Sequence, residues 1–104
     1  MKITATNQTA AGIIHLIGGT DTLDRIGARE VRDCQDGISL LLDTKSGPNV
    51  VRIYMDNDGI RFVAHFGRIT ARTFKKISHT AGLHGDDLAK LFRSEMFRAL
   101  RATA

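Results

Sequence analysis

The chain has a single cysteine among its 104 residues, a scarcity that excludes an internal disulfide framework and any zinc site built on paired thiolates. Cys34 reads as a small, half-buried strand residue, and a chain without crosslinks fits a reducing, cytoplasmic compartment. Long apolar runs are missing too. No stretch approaches the roughly 18 residues of a membrane span, and the opening MKITATNQ holds no apolar run of signal-peptide length. Catalytic constellations are equally scarce. His79 and His84 lie five apart across a glycine-containing turn, which does not put them on one helical face as a helical two-histidine zinc site requires. Asp86 and Asp87 stand where a helix begins, where holding free N–H groups is job enough for a carboxylate. Gly18-Gly19 follows a helical pattern and does not link a strand to a helix, so it is no phosphate loop. With no nucleophile, base and orienter in reach of one another, the chain reads as a binding protein and not an enzyme, with no metal or cofactor expected.

What is present is ordinary in amount and uneven in placement. Hydrophobic content of 42% and charged content of 25% are those of a soluble globular chain, and the length suits one domain over residues 1–104. Residues 1–60 carry six Lys/Arg against eight acids, a net of −2, whereas residues 61–104 carry nine against three, a net of +6, together the +4 of the whole chain. The basic C-terminal half is the electrostatic footprint, and it points to nucleic acid or to a protein that handles nucleic acid.

Periodicity supplies the fold class. Asn7 or Thr9 can cap a helix with Ala10, Ile13, Ile14 and Ile17 on one face, ended by Gly18-Gly19 and followed by a turn over residues 20–24. Residues 28–34 and 38–42 form two strands around the Asp36-Gly37 turn. Ser46-Gly47-Pro48-Asn49 marks a loop before residues 50–55, whose alternation puts Val51, Ile53 and Met55 on one face. Asp56-Asn57-Asp58-Gly59 turns the chain into residues 60–66, with Ile60, Phe62, Ala64 and Phe66 inward. Residues 70–79 fit a short helix through Phe74, Ile77 and Ala81, although their β-branched residues also permit an irregular strand; the helical reading is preferred. Asp86 then caps a long helix carrying Leu88, Leu91, Phe92, Met96, Ala99 and Leu100 at helical spacing. The expectation is an α+β fold: an N-terminal helix, a four-stranded antiparallel meander, and a short plus a long C-terminal helix on one sheet face.

Two basic surfaces follow. The last helix gathers Lys90, Arg93, Phe97 and Arg101 on the face away from its apolar stripe, either as a solvated face or as a contact surface. The sheet face opposite the core gathers, by strand parity, Arg32, Arg52, Tyr54, Arg61 and His65. Backbone charge and a stacking ring would both be available there to a single-stranded nucleic acid, and a protein contact or plain solvent would suit the same face. A homodimer would double either surface.

Residues 74–95, with Gly82, Leu83 and the Leu88-Ala89-x-Leu91-Phe92 run, resemble the helix-turn-helix of arabinose-type transcription activators, which implies a last helix lying in a major groove. A second resemblance runs the length of the chain. Thr9-Ala10 with Ile13, Ile17-Gly18-Gly19, Gly27-Ala28, and late Gly82-Leu83-His84, Asp86, Leu88 and Phe92 resemble a group of small phage and prophage proteins reading TAxxIxxxLGG, then TGAK, then GVYxDxLxxxF. Ile26, Gly59-Ile60 and Met96-Phe97 depart from that pattern. This resemblance implies a phage or mobile-element origin and supplies no activity. It adds a second expectation beside nucleic-acid binding: an accessory inhibitor of a host defence system, such as an anti-CRISPR protein, acting by protein contact.

Overall fold

The computed structural model describes residues 2–3, 7–34, 36–44, 47–71 and 73–103, the side chains of Lys2 and of residues 95–103 excepted. In chain order the elements are β1 (Lys2–Ile3), α1 (Gln8–Leu16), α2 (Gly19–Arg25), β2 (Ala28–Cys34), β3 (Gly37–Leu42), β4 (Val50–Met55), β5 (Phe62–Thr70), β6 (Thr73–Leu83) and α3 (Gly85–Thr103). The strands form one six-stranded sheet whose spatial order is the chain order. Every neighbour pair from β2 to β6 is antiparallel, and β1 lies parallel beside β2. The fold is α+β, as the periodicity requires.

Local chemistry accounts for the helices. The Asn7 side chain accepts the Ala10 N–H at 2.7 Å and so caps α1, which buries Ala10 and Ile13. The chain leaves α1 through Gly18 and Gly19, at φ 120° and 77°, backbone that only glycine adopts without strain. The expected turn over residues 20–24 is instead α2. Its seven residues are too few to display a helical period, but they bury Leu23 completely, and Ile26 beyond its end is 6% exposed. At the start of α3 the backbone N–H of His84 donates to Asp87 Oδ2 at 3.4 Å, so Asp87 and not Asp86 makes the capping contact.

The helices lie against one face of the sheet: α1 on β3 and β4, α2 on β2, α3 on β5 and β6. Between them sit Ile13, Ile17, Leu23, Val31, Ile38, Leu40, Val51, Ile53, Ala64, Phe66, Leu88 and Phe92, each no more than 2% exposed. Burying side chains of this size contributes about 1.5–3 kcal/mol apiece for the larger ones, so this layer dominates the fold. The rings of Phe66 and Phe92 meet at 6.4 Å between centroids, joining α3 to β5.

Three expectations are corrected here. Residues 70–79 are not a short helix: β6 occupies Thr73–Leu83, so the sheet has six strands and not four, and one long C-terminal helix remains. The helix-turn-helix resemblance fails with it, because its first helix would be this strand. The ladder between β5 and β6 shifts register twice, between Phe62 and Ala64 and between Phe66 and Gly67, and each shift breaks the alternation by which a strand is read from sequence. Phe74 and Ile77, taken as the apolar side of a helix, are 58% and 41% exposed. Ile60 is not a core residue: it lies in the turn before β5 and is 69% exposed.

Candidate functional site

With all three helices on one side, the other face of the sheet carries no element over it among the described residues. Its centre is a row of directly opposed partners running across five strands: Arg32 on β2, Ser39 on β3, Arg52 on β4, His65 on β5 and His79 on β6. At the ordinary spacing of neighbouring strands this row is about 19 Å long. Parity places the row here, since Ile38, Leu40, Val51, Ile53, Ala64 and Phe66 on either side of it all point into the core.

The row is tied together by its rings. Tyr54, two residues along from Arg52, is hydrogen-bonded through its hydroxyl to His65 Nε2 at 3.0 Å, with the two rings stacked at 5.7 Å. His65 stacks in turn on His79 at 4.1 Å, and the Arg52 guanidinium carbon lies 5.8 Å from the centre of the Tyr54 ring. Beneath this cluster Val63 is 4% exposed yet stands apart from the helix-covered core, so the outer face shields a residue of its own. Desolvation holds His65 below the ordinary imidazole range, reinforced by the neighbouring positive charges of His79, Lys76 and Arg52. Burial pushes the Cys34 thiol up, against the opposing pull of Arg52, its hydrogen-bond partner, which makes Cys34 a poor nucleophile at neutral pH.

Beside the row lies a more apolar strip. Leu41 opposes Val50, Val50 opposes Gly67, and Gly67 opposes Lys76. The ring of Phe74 lies over Gly67: a Cβ on that glycine would be 2.5 Å from the ring's Cε2. Phe74, Ile69 and Ile77 are all exposed, at 58%, 45% and 41%. At the opposite end of the face a shallow depression of about 230 Å³ is lined by Asp36, Arg52, Tyr54, Met55 and Asn57.

The residues singled out in the sequence divide among several places. Arg32, Arg52, Tyr54 and His65 come together on this face, although Arg32 also bonds Glu30 at 2.7 Å. Arg61 stands just before β5, 3.8 Å from Asp58, whose Oδ1 accepts the N–H groups of Ile60 and Arg61. Lys90 and Arg93 are exposed on α3, which packs on the opposite side of the sheet, so they form no continuous surface with the row. Phe97 and Arg101 lie outside the described side chains. Arg68, one of the bases of the C-terminal half, is committed to structure: it donates to the carbonyls of Gly47 at 3.0 Å and Thr44 at 3.3 Å. The sequence reading missed Phe74, Lys76 and His79 as members of the face, because it placed them on a helix. The signal that could have found them is the pairing of residues 73–83 as a strand, which sets Phe74 opposite Ile69, Lys76 opposite Gly67 and His79 opposite His65.

Among the described residues no three His, Cys, Asp or Glu side chains converge as metal ligands, and no helix is long and apolar enough to cross a membrane. No protein-family model, curated protein or solved structure matches the chain.

Proposed function

We propose that the protein binds single-stranded nucleic acid across the uncovered face of its sheet. One observation carries this reading: Arg52, Tyr54, His65 and His79 form a connected row of cations and stackable rings on a face with nothing over it among the described residues, with Lys76 and the exposed Phe74 ring alongside. A flexible strand needs cationic side chains for its phosphates and ring faces for its bases, and a sheet presents both at the spacing of its strands. A row of about 19 Å would accommodate roughly three to four nucleotides. The raised Cys34 thiol and the engagement of His65 with Tyr54 favour a binder over a catalyst.

Fluorescence anisotropy with labelled single-stranded and duplex DNA and RNA at about 50 and 200 mM salt is the direct test. Three phosphate contacts correspond to a loss of roughly 20-fold in single-strand affinity over that range. Lys76→Ala should flatten the salt dependence by about one phosphate contact. Affinity lost equally on changing Lys90 and Arg93 to Glu would move the site to α3, and no binding at either salt would end the reading.

A second reading is favoured by the exposed Phe74, Ile69 and Ile77, since apolar side chains clustered at a surface mark protein contacts. Together with the phage-like pattern, they suit an accessory protein that docks on a host defence component. Rescue of phage growth by the wild-type chain but not by a Phe74→Lys variant, in cells carrying one defence system, would select it.

A further inference from the structure

The depression lined by Asp36, Arg52, Tyr54, Met55 and Asn57 lies beside the middle of the same row, toward the β2–β3 turn and the β4–β5 turn. It is held in shape by backbone contacts on both sides. The Met55 N–H donates to the Asp36 carbonyl at 2.8 Å, and the Asp56 N–H donates to the Arg61 carbonyl at 2.7 Å, closing the second turn. Gly37, on the strand that leaves the first turn, runs so close to β4 that a Cβ there would strike the Ile53 carbonyl and the Tyr54 backbone. Asp36 is left-handed, at φ 60°.

At about 230 Å³ the depression is smaller than the roughly 300–1,000 Å³ of a pocket for a drug-sized ligand, and it suits one planar ring system. The groups around it are unusual for a plain phosphate site, because a carboxylate stands among them and repels anions. Arg52 and Asp36 line the depression without forming an ion pair with each other. The set is a carboxylate acceptor, a guanidinium donor, an amide and a phenol ring, which is the complement of a nucleobase edge. Among the four bases only guanine offers a carboxylate two parallel N–H donors, N1–H and N2–H, while turning acceptors, O6 and N7, toward an arginine.

We infer that this depression selects guanine at one position of the bound single strand, with Asp36 taking the N1–H and N2–H donors, Arg52 facing O6 or N7, and Tyr54 supplying the ring contact. The inference rests on the single-strand reading above and gives it a base preference at one point beside the row.

The test uses the full chain and labelled oligonucleotides of about eight nucleotides, all thymidine except for one central residue. With dG at the centre, affinity should be roughly ten-fold or more above that of the all-thymidine strand. Deoxyinosine, which keeps N1–H and lacks the N2 amino group, should fall between them. Asp36→Asn should abolish the dG preference while binding the all-thymidine strand at least as tightly, since it removes a negative charge, and asparagine tolerates the same left-handed backbone. Equal affinity for every central base, or a dG preference that survives in Asp36→Asn, overturns the guanine assignment and leaves single-strand binding standing. Absence of binding to all the strands overturns both.

Discussion

The two faces of the sheet are built from alternate residues of the same strands and have opposite chemistry. On β4, Val51 and Ile53 are fully buried under the helices, while the alternating Arg52 and Tyr54 face out. On β5, Ala64 and Phe66 point in, and His65 points out between them. The inner face is made of side chains that gain by leaving water. The outer face keeps charge and rings half in water and spends its hydrogen bonds on fixing their positions, as between Tyr54 and His65. The apolar packing thus lies on one side of the sheet and the charged and ring-bearing side chains on the other, so each can be altered separately.

Substitutions can break that division in order of expected effect. Phe92→Ala removes a ring that is 1% exposed and meets Phe66, and should lower the unfolding free energy by about 3–5 kcal/mol in urea denaturation. Next come the two close-packed glycines. Gly37→Ala drives a methyl into the Ile53 and Tyr54 backbone, which cannot move without disturbing the ladder, and should cost about 1–3 kcal/mol. Gly67→Ala meets chiefly the exposed ring of Phe74, which can swing aside, with the Lys75 carbonyl at 3.2 Å, and should cost less than Gly37→Ala in the same measurement. Phe74→Ala itself should change stability by no more than about 0.5 kcal/mol. It should nonetheless weaken single-strand binding by the equivalent of about 1–3 kcal/mol in anisotropy titrations. A Phe74→Ala protein that unfolds as readily as Phe92→Ala would show that the outer face also holds the fold together.

The smallest effect is a pH dependence. The folded protein holds His65 below the imidazole reference of 6.5, chiefly by desolvation, so the unfolded chain binds its proton first as the pH falls. Stability should therefore decline below about pH 6.5 and level off once the folded ring is protonated as well. Melting temperatures measured from pH 7 downward should show a shallow fall, and His65→Gln should flatten it. Asp58 adds to the loss at the acid end, because the Arg61 and Ile60 N–H groups hold its carboxyl below the ordinary range of 3.8.

Much of this arrangement was legible in the sequence wherever one element obeyed one period. The Asn7 cap, the alternation of Val51 and Ile53 around Arg52, and the three-to-four spacing of Leu88, Leu91 and Phe92 each state their element directly. Arg52, Tyr54 and His65 were placed on one face by parity alone, and the structure puts them there. Legibility ended where two periods overlapped. In β6 an extra residue opposite the Phe66–Gly67 junction and another near Val63 turn a strand into a sequence that imitates a helix, and with it His79, Phe74 and Lys76 dropped out of the site.

The strand order has a consequence for how the chain assembles. Because neighbours in space from β2 to β6 are also neighbours in sequence, each hairpin closes over a short loop, and the entropy of closing any one of them is small. The sheet can grow by adding one hairpin at a time as the chain is made, with β6 and α3 arriving last to seal Phe66. Only β1 must wait, since its parallel partner β2 lies beyond both α1 and α2.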